Sequence, residues 1–412
     1  GTNTFSSDFP EGMNQGIQQN SGGQQDGIVF KLNKDLSQML WSTYLGGSED
    51  DAIYSIDLGP TYDVYVAGGT VSSDFPTTPN AYNTNFNGGT TDGFVAHINQ
   101  DGNNLIACSY FGSDQYDQAY FVRTDDQNNV FICGQTEASG STLIYNAAYN
   151  NPNSGQFIAK FLPGLSELEW STVFGTGSGE PNISITAFAV DICNRIYLAG
   201  WGRFWTQSYY NSNMEFYSWE DTFGTKGMDI TPDAIQPETD GQDFYIMVLN
   251  EDASNLEYAT FFGEVHYSGC GYSGHDHVDG GTSRFDKKGH IIQSVCASCG
   301  GCQQFPTSPG VWSNNNGDGV NYNNCNNAVF KIRIIDNLAV ANFDPIPAGC
   351  SPYTVDFNNN SQGTVFTWYF GDGTQSNEYN PSHTYSEGGT YEVMLVVEDP
   401  AACNIADTMI RE

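Results

Sequence analysis

The chain has 412 residues, enough for two or more domains or for one large repeat domain beside a small one. Its 48 Asp and Glu against 13 Lys and Arg give a net charge of −35. This argues against nucleic acid and anionic membrane surfaces as partners, since proteins meet both with clustered Lys and Arg. Hydrophobic residues at 39% and aromatics at 14% suffice for a core, and no apolar run reaches the length of a membrane span.

Between Asp26 and Pro79 the chain reads DGIVFKLN, MLWSTYLGGSEDDA, IYSIDL, DVYVAGGT and SSDFPTTP. The first four pieces are short, rich in β-branched and aromatic residues, and closed by Gly, Asn, Asp or Pro. They predict four consecutive strands with tight turns, followed by a loop. The first motif recurs as DGFVAHIN at Asp92, GQFIAKF at Gly155, QDFYIMVLN at Gln242 and NAVFKIRI at Asn327. The second, WSTYLGG at Trp41, recurs as CSYFGS at Cys108, WSTVFGT at Trp170 and YATFFGE at Tyr258. The fourth, VYVAGGT at Val64, recurs as VFICGQT at Val130 and IYLAGWG at Ile196. Four strands at a fixed period predict the four-stranded blades of a β-propeller. TFSSDFP at Thr4 repeats VSSDFP at Val71, so the chain starts inside a motif and is expected to be part of a longer protein with further blades.

Asp51 and Asp117 stand in equivalent places, after a Gly turn and before the next strand. A short carboxylate there can accept backbone N–H groups and fix the turn; calcium ligation is the other reading. Two insertions break the period. Trp201–Met228 carries Trp201, Phe204, Trp205, Tyr209, Tyr210 and Trp219, candidates for stacking on a glycan or anchoring a partner. Val265–Gly301 carries His275 and His277 and, with its flank, Cys270, Cys296, Cys299 and Cys302. Disulfides among these and Cys325, with undefined connectivity, compete there with a zinc site. Cys108 and Cys133 are a candidate bridge between neighbouring strands. Asp318, in the polar loop NNNGDGVNYNNCNN, is a weak calcium candidate that lacks the spacing of a calcium loop.

The motifs DGFVAxxN, WSTYLGG, VYVAGGT and SDFPTTPxAY together resemble the SBBP-type β-propeller repeat of large bacterial secreted proteins. The likeness spans roughly residues 1–335. After about residue 336 the pattern changes to the short strands VANFDP, TVDFNN, VFTWYFGDG, SNEYNPSHTY and YEVMLVVED. WYFGDG at Trp368–Gly373, PSHTY at Pro381–Tyr385 and GTYEV at Gly389–Val393 resemble a PKD domain, an immunoglobulin-like β-sandwich. In that sandwich Trp368 is expected in the core and Asp372 capping a Gly371–Gly373 turn. Cys350 and Cys403, which flank it, are expected to pair. The fold expectation is therefore all-β, with propeller repeats over 1–336 and a PKD sandwich over 341–412.

No G-x-S-x-G or H-E-x-x-H motif is present, and the expectation is a non-enzymatic protein. Its ten Cys in turn-rich β context favour an oxidising compartment. The combined resemblance is to large surface proteins of Bacteroidota exported by the type IX secretion system. It implies an extracellular, cell-surface location and a role in adhesion, gliding or polymer binding. It also implies the secretion translocon or an outer-membrane barrel as partner. The alternatives are the binding or spacer module of a larger secreted hydrolase, and a passive stalk.

Overall fold

The computed structural model describes residues 2–9, 14–202, 205–210, 216–221, 224–264, 275–278, 284–285, 290–299, 305–314, 326–334 and 338–412. These residues form strands, turns and loops, with no α-helix among them. The chain divides into two compact units, Gly1–Ile332 and Arg333–Glu412.

The first unit is a succession of small sheets. The first sheet runs in the order Thr2–Thr4, Asp26–Leu32, Met39–Leu45, Asn14–Gln15. The second is an antiparallel meander of Asp51–Leu58, Val64–Thr70, Asp92–Ile98 and Leu105–Phe111. The third repeats it with Asp117–Thr124, Val130–Thr136, Gln156–Phe161 and Leu168–Phe174. The fourth does so with Ile183–Val190, Ile196–Gly202, Phe244–Leu249 and Leu256–Phe262. In the fifth, His290–Cys299 pairs with His275–His277, Arg284–Phe285 and Asn326–Arg333. Among the described residues each sheet is open and none closes on itself.

The meander strands fall where the repeated motifs predict them, but their grouping differs. The sequence puts DGIVFKLN, WSTYLGG, IYSIDL and VYVAGGT into one four-stranded unit. In the structure the first two belong to one sheet and the last two open the next. The SSDFPTTP segment therefore joins the second and third strands of a sheet and does not link sheets. The division falls at Gly46–Gly47 and at Gly112–Ser113, where the chain turns out of one sheet and starts another.

Successive sheets share one apolar core per seam. Val29, Trp41 and Leu45 of the first sheet pack with Ile53, Val66, Phe94 and Tyr110 of the second. Val95 and Phe111 pack with Val122, Ile132 and Phe157 of the third. Ile158, Trp170 and Phe174 pack with Phe188, Leu198 and Met247 of the fourth. The tryptophans of the WST motif tie the seams with hydrogen bonds. Trp41 Nε1–H donates to the Gln100 carbonyl at 3.0 Å, and Trp170 Nε1–H to the Glu251 carbonyl at 3.0 Å. Each buries a large ring, a stabilisation of about 2–3 kcal/mol by area, while satisfying its one donor.

Cys108 takes the tryptophan's place in the intervening copy. It is a buried free thiol, as is Cys133. The candidate Cys108–Cys133 bridge is thus not formed. The two side chains belong to different cores, Cys108 to that of the first seam and Cys133 to that between the third and fourth sheets.

The second unit is a β-sandwich. Tyr353–Asp356 pairs with Ser382–Tyr385, and a second sheet runs Gln375–Ser376, Val365–Tyr369, Val393–Glu398, Ala406–Arg411. Trp368 is fully buried between them, with ring centroids 5.0 Å from Phe343 and 5.2 Å from Phe357. Its Nε1–H donates to the Glu378 carbonyl at 3.1 Å. Gly371 and Gly373 hold φ of 80° and 89°, values that favour glycine. Between them Asp372 Oδ1 accepts the Thr374 N–H at 3.0 Å, as the capping expectation requires. The expected Cys350–Cys403 disulfide is absent: Cys350 is an exposed free thiol, whereas Cys403 is disulfide-bonded to another partner. Flanking positions in sequence did not bring these two sulfurs together.

Candidate functional site

In the second sheet the connection between the second and third strands, residues 71–91, is a loop without strands. In the fourth sheet the same connection carries its own two-stranded antiparallel ribbon, Trp205–Tyr210 paired with Phe216–Asp221. The register sets Trp205 opposite Asp221, Gln207 opposite Trp219, Tyr209 opposite Tyr217 and Tyr210 opposite Phe216. Of the predicted aromatic set, Trp205, Tyr209, Tyr210 and Trp219 thus lie on this ribbon, and Phe204 lies outside the described residues. Trp201 sits at the ribbon's root, half-buried in the strand Ile196–Gly202.

The root of the ribbon meets the second insertion. The Trp201 ring lies 5.9 Å from that of His277. His275–His277 pairs antiparallel with His290–Cys299, setting His275 opposite Cys299 and His277 opposite Cys296. One ligand atom each from His277, Cys296 and Cys299 falls within 4.8 Å of the others. A cysteine ligates zinc as its thiolate, and Cys299 is disulfide-bonded. The cluster therefore does not fit zinc in this form. Cys193 and Cys403 are also disulfide-bonded. Cys270, Cys302, Cys325 and Asp318 lie outside the described residues.

Asp51 and Asp117 act on the backbone. Asp51 Oδ2 accepts the Gly47 N–H at 2.7 Å and the Ser72 hydroxyl at 3.0 Å. Asp117 Oδ2 accepts the Ser113 N–H at 2.6 Å and its hydroxyl at 2.8 Å. Asn182 Oδ1 takes the Thr176 N–H at 2.9 Å, and Asp276 Oδ2 takes the Glu264 N–H. In all four repeats the bonded N–H belongs to the residue after the glycine that ends the fourth strand of a sheet. The hydrogen bonds of Asp51 and Asp117 are those of turn-fixing carboxylates.

Asp51 and Asp117 stand out in the sequence, whereas the carboxylates beside them and the third pair do not. Asp26, Asp92 and Asp243 lie beside Asp51, Asp117 and Asp276, all buried. For Asp26 and Asp92 the signal was present as the Asp that opens the DG motif. Burial, the largest cause, pushes Asp51 up to about 6 and Asp92 up to about 7. It likewise pushes Asp243 up to about 8 and Asp276 up to about 7.

Residues 338–410 match the PKD domain family. Residues 338–410 are a PKD domain. Its core is the one described above around Trp368. Among similar structures, the PKD1 domain of Vibrio cholerae metalloprotease PrtV is 29% identical, covering 18% of this chain and 91% of that one, with a TM-score of 0.16. The PKD1 domain of Vibrio anguillarum Epp is 32% identical, covering 18% and 88%, also with a TM-score of 0.16. Collagenase ColA of Bacillus cereus is 50% identical over 42 residues, which is 10% of this chain and 4% of the collagenase. The chain thus spans only a small part of that curated relative. PKD domains are typical of extracellular or secreted proteins, and the presence of disulfides agrees with an oxidising environment.

Proposed function

We propose that this chain is a non-enzymatic, extracellular binding segment of a cell-surface protein, with the ribbon Trp205–Tyr210/Phe216–Asp221 as its recognition element. The observation that carries the reading is the ribbon itself. A connection that is strandless in the second sheet here becomes a paired ribbon holding Trp205, Tyr209, Tyr210, Phe216, Tyr217 and Trp219. Aromatic rings supply apolar faces suited to sugar rings and to the centres of protein interfaces. The meander sheets are read as blades of an SBBP-like propeller that presents the ribbon, and the PKD domain as a spacer. Export by the type IX system, attachment outside the outer membrane, and a part in adhesion or gliding follow from the same resemblance.

The test is a pull-down of the whole chain on insoluble polysaccharides. The expected result is retention on at least one polymer, lost when residues 205–221 are replaced by a short Gly-Ser linker. Unchanged retention in the replaced chain would rule the ribbon out.

A second reading is favoured by the names of the PKD relatives, a metalloprotease and a collagenase. The chain is then an accessory module of a larger secreted hydrolase. The intact mass and C-terminal sequence of the native protein separate the two. A hydrolase domain on the same polypeptide supports the accessory reading, and a sorting domain without one supports the adhesin.

A further inference from the structure

At the seam between the first and second sheets, Asp26 begins the strand Asp26–Leu32 and Asp51 begins Asp51–Leu58. At the next seam Asp92 and Asp117 repeat the arrangement with the same sequence spacing. All four are at most 1% exposed. The two carboxylates of a pair converge on one glycine. A Cβ on Gly112 would lie 2.8 Å from Asp117 Oδ2 and 3.0 Å from Asp92 Oδ1, and Gly46 is contacted in the same way by Asp26 and Asp51.

The hydrogen-bond inventory of each pair is incomplete in the same way. Asp26 Oδ2 accepts the Gly22 N–H at 2.7 Å, and Asp92 Oδ2 accepts the Asn87 N–H. The Oδ2 atoms of Asp51 and Asp117 are occupied by the turn N–H and hydroxyl groups described above. The Oδ1 atoms of Asp26, Asp51, Asp92 and Asp117 are buried with no hydrogen bond of ordinary geometry, although the Thr70 and Thr136 hydroxyls stand close to the Asp51 and Asp117 carboxyls. Two orphaned oxygens per pair are what one missing O–H···O bond leaves behind, and buried acceptors of this kind are costly unless bonded.

We propose that each of these seams holds one proton shared between its two carboxyls, Asp26 with Asp51 and Asp92 with Asp117. The carboxyl O–H supplies the missing donor, and one negative charge per pair remains. The third seam shows that the two places do not require charge. There Gln156 and Asn182 take the two places and converge on Gly175. Their amides donate outward to the carbonyls of Ile183 and Gly224, and Gln156 Oε1 keeps no partner, so what this seam shows is that both places accept uncharged side chains. An amide can replace a protonated carboxyl in hydrogen bonding, but it brings no charge to hold a cation. A calcium ion would need roughly six to eight oxygen ligands, and each pair leaves two oxygens free.

The other ionisable groups that face these pairs are acidic or neutral. They are Asp50 and Asp74 at the first seam, Glu137 at the second, and the Tyr110 phenol between Asp51 and Asp92. Among the described residues no Lys or Arg is ion-paired with either pair. Burial raises all four carboxyls above their ordinary value. A raised folded pKa gives stability that is complete below the unfolded value and is lost as pH rises through the folded one. The seams therefore loosen between about pH 4 and pH 7.

The test compares the whole chain with Asp92→Asn, which places an amide where the third seam has one. The wild-type melting temperature should fall by several degrees from pH 5 to pH 8, and the variant should show a shallower fall and be no less stable at pH 8. Independently of any variant, titration should find more protons bound at pH 6 by the native chain than by the same chain in urea. An unchanged pH slope in Asp92→Asn, or equal proton binding by native and unfolded chains, overturns the proposal. So does a wild-type melting temperature at pH 8 that rises with added Ca²⁺ and falls with chelator, since that result assigns the pairs to a cation.

Discussion

The imidazole of His383 lies flat on the ring of Phe370, with centroids 4.2 Å apart and planes 2° from parallel. The stack holds His383 Nε2 at 2.7 Å from Asp372 Oδ2. Burial pushes the Asp372 carboxyl up, but the hydrogen bonds from Thr374 and His383 more than offset it and leave it below its ordinary value. A lowered folded pKa gives stability present above the unfolded value and lost as pH falls through the folded one. The PKD domain should therefore lose stability on the acid side, and Asp372→Asn should flatten that limb in calorimetry. His383→Ala should cost about 1 kcal/mol at neutral pH, the size of a lost hydrogen bond.

The glycine at each seam can be tested against one in open space. A methyl group on Gly112 meets two buried carboxylates, so Gly112→Ala should destabilise the chain by about 1–3 kcal/mol, the usual cost of overpacking. Gly388 has nothing within 4 Å of a built Cβ and no positive φ. Gly388→Ala should stay within about 0.5 kcal/mol of wild type. Urea melts of both variants check the difference.

Thiol labelling should sort the free cysteines by depth. Burial raises the thiols of Cys108 and Cys133, while Cys350 is exposed. Because the thiolate is the reactive species, an alkylating reagent should modify Cys350 in the native chain and reach Cys108 and Cys133 only after unfolding. Mass spectrometry of digested protein reads the result. Rapid native labelling of Cys108 would contradict the first seam as described.

Lys160 is 2% exposed, with Nζ 3.1 Å from Glu169 and 3.2 Å from Glu251 and set over the Phe131 ring at 5.3 Å. Both glutamates keep contact with solvent, so removing the ammonium does not strand a buried charge. Lys160→Met should keep the stem's packing and change stability by less than about 1.5 kcal/mol. Lys160→Ala should cost about 2–4 kcal/mol through the cavity it leaves. Thermal melts separate packing from charge.

Much of the fold was legible from local pattern. The DGFVA, WST and VYVAGG segments are strands because alternating β-branched and aromatic residues end at Gly and Asp turns. Asp51 and Asp117 were recognised as turn-fixing residues because a short carboxylate after a glycine turn has backbone donors within reach. WYFGDG and PSHTY located the PKD domain because a buried Trp, a two-glycine turn and an Asp cap depend on neighbours close in sequence. The aromatic candidates on the ribbon could be named but not arranged, since antiparallel pairing depends on what lies across from each strand.

Local pattern therefore set the repeated strands, their period, the turns and the PKD domain, all governed by interactions over a few residues. Only the tertiary structure decided where one sheet ends and the next begins. That boundary depends on the turn at Gly46–Gly47, where one strand's end packs against the next sheet. It also decided that Cys108 and Cys133 stay apart in separate cores and that Cys350 stays free. And it alone brought Asp26 to Asp51 and Asp92 to Asp117, because carboxylates 25 residues apart meet only when two sheets close a seam over them.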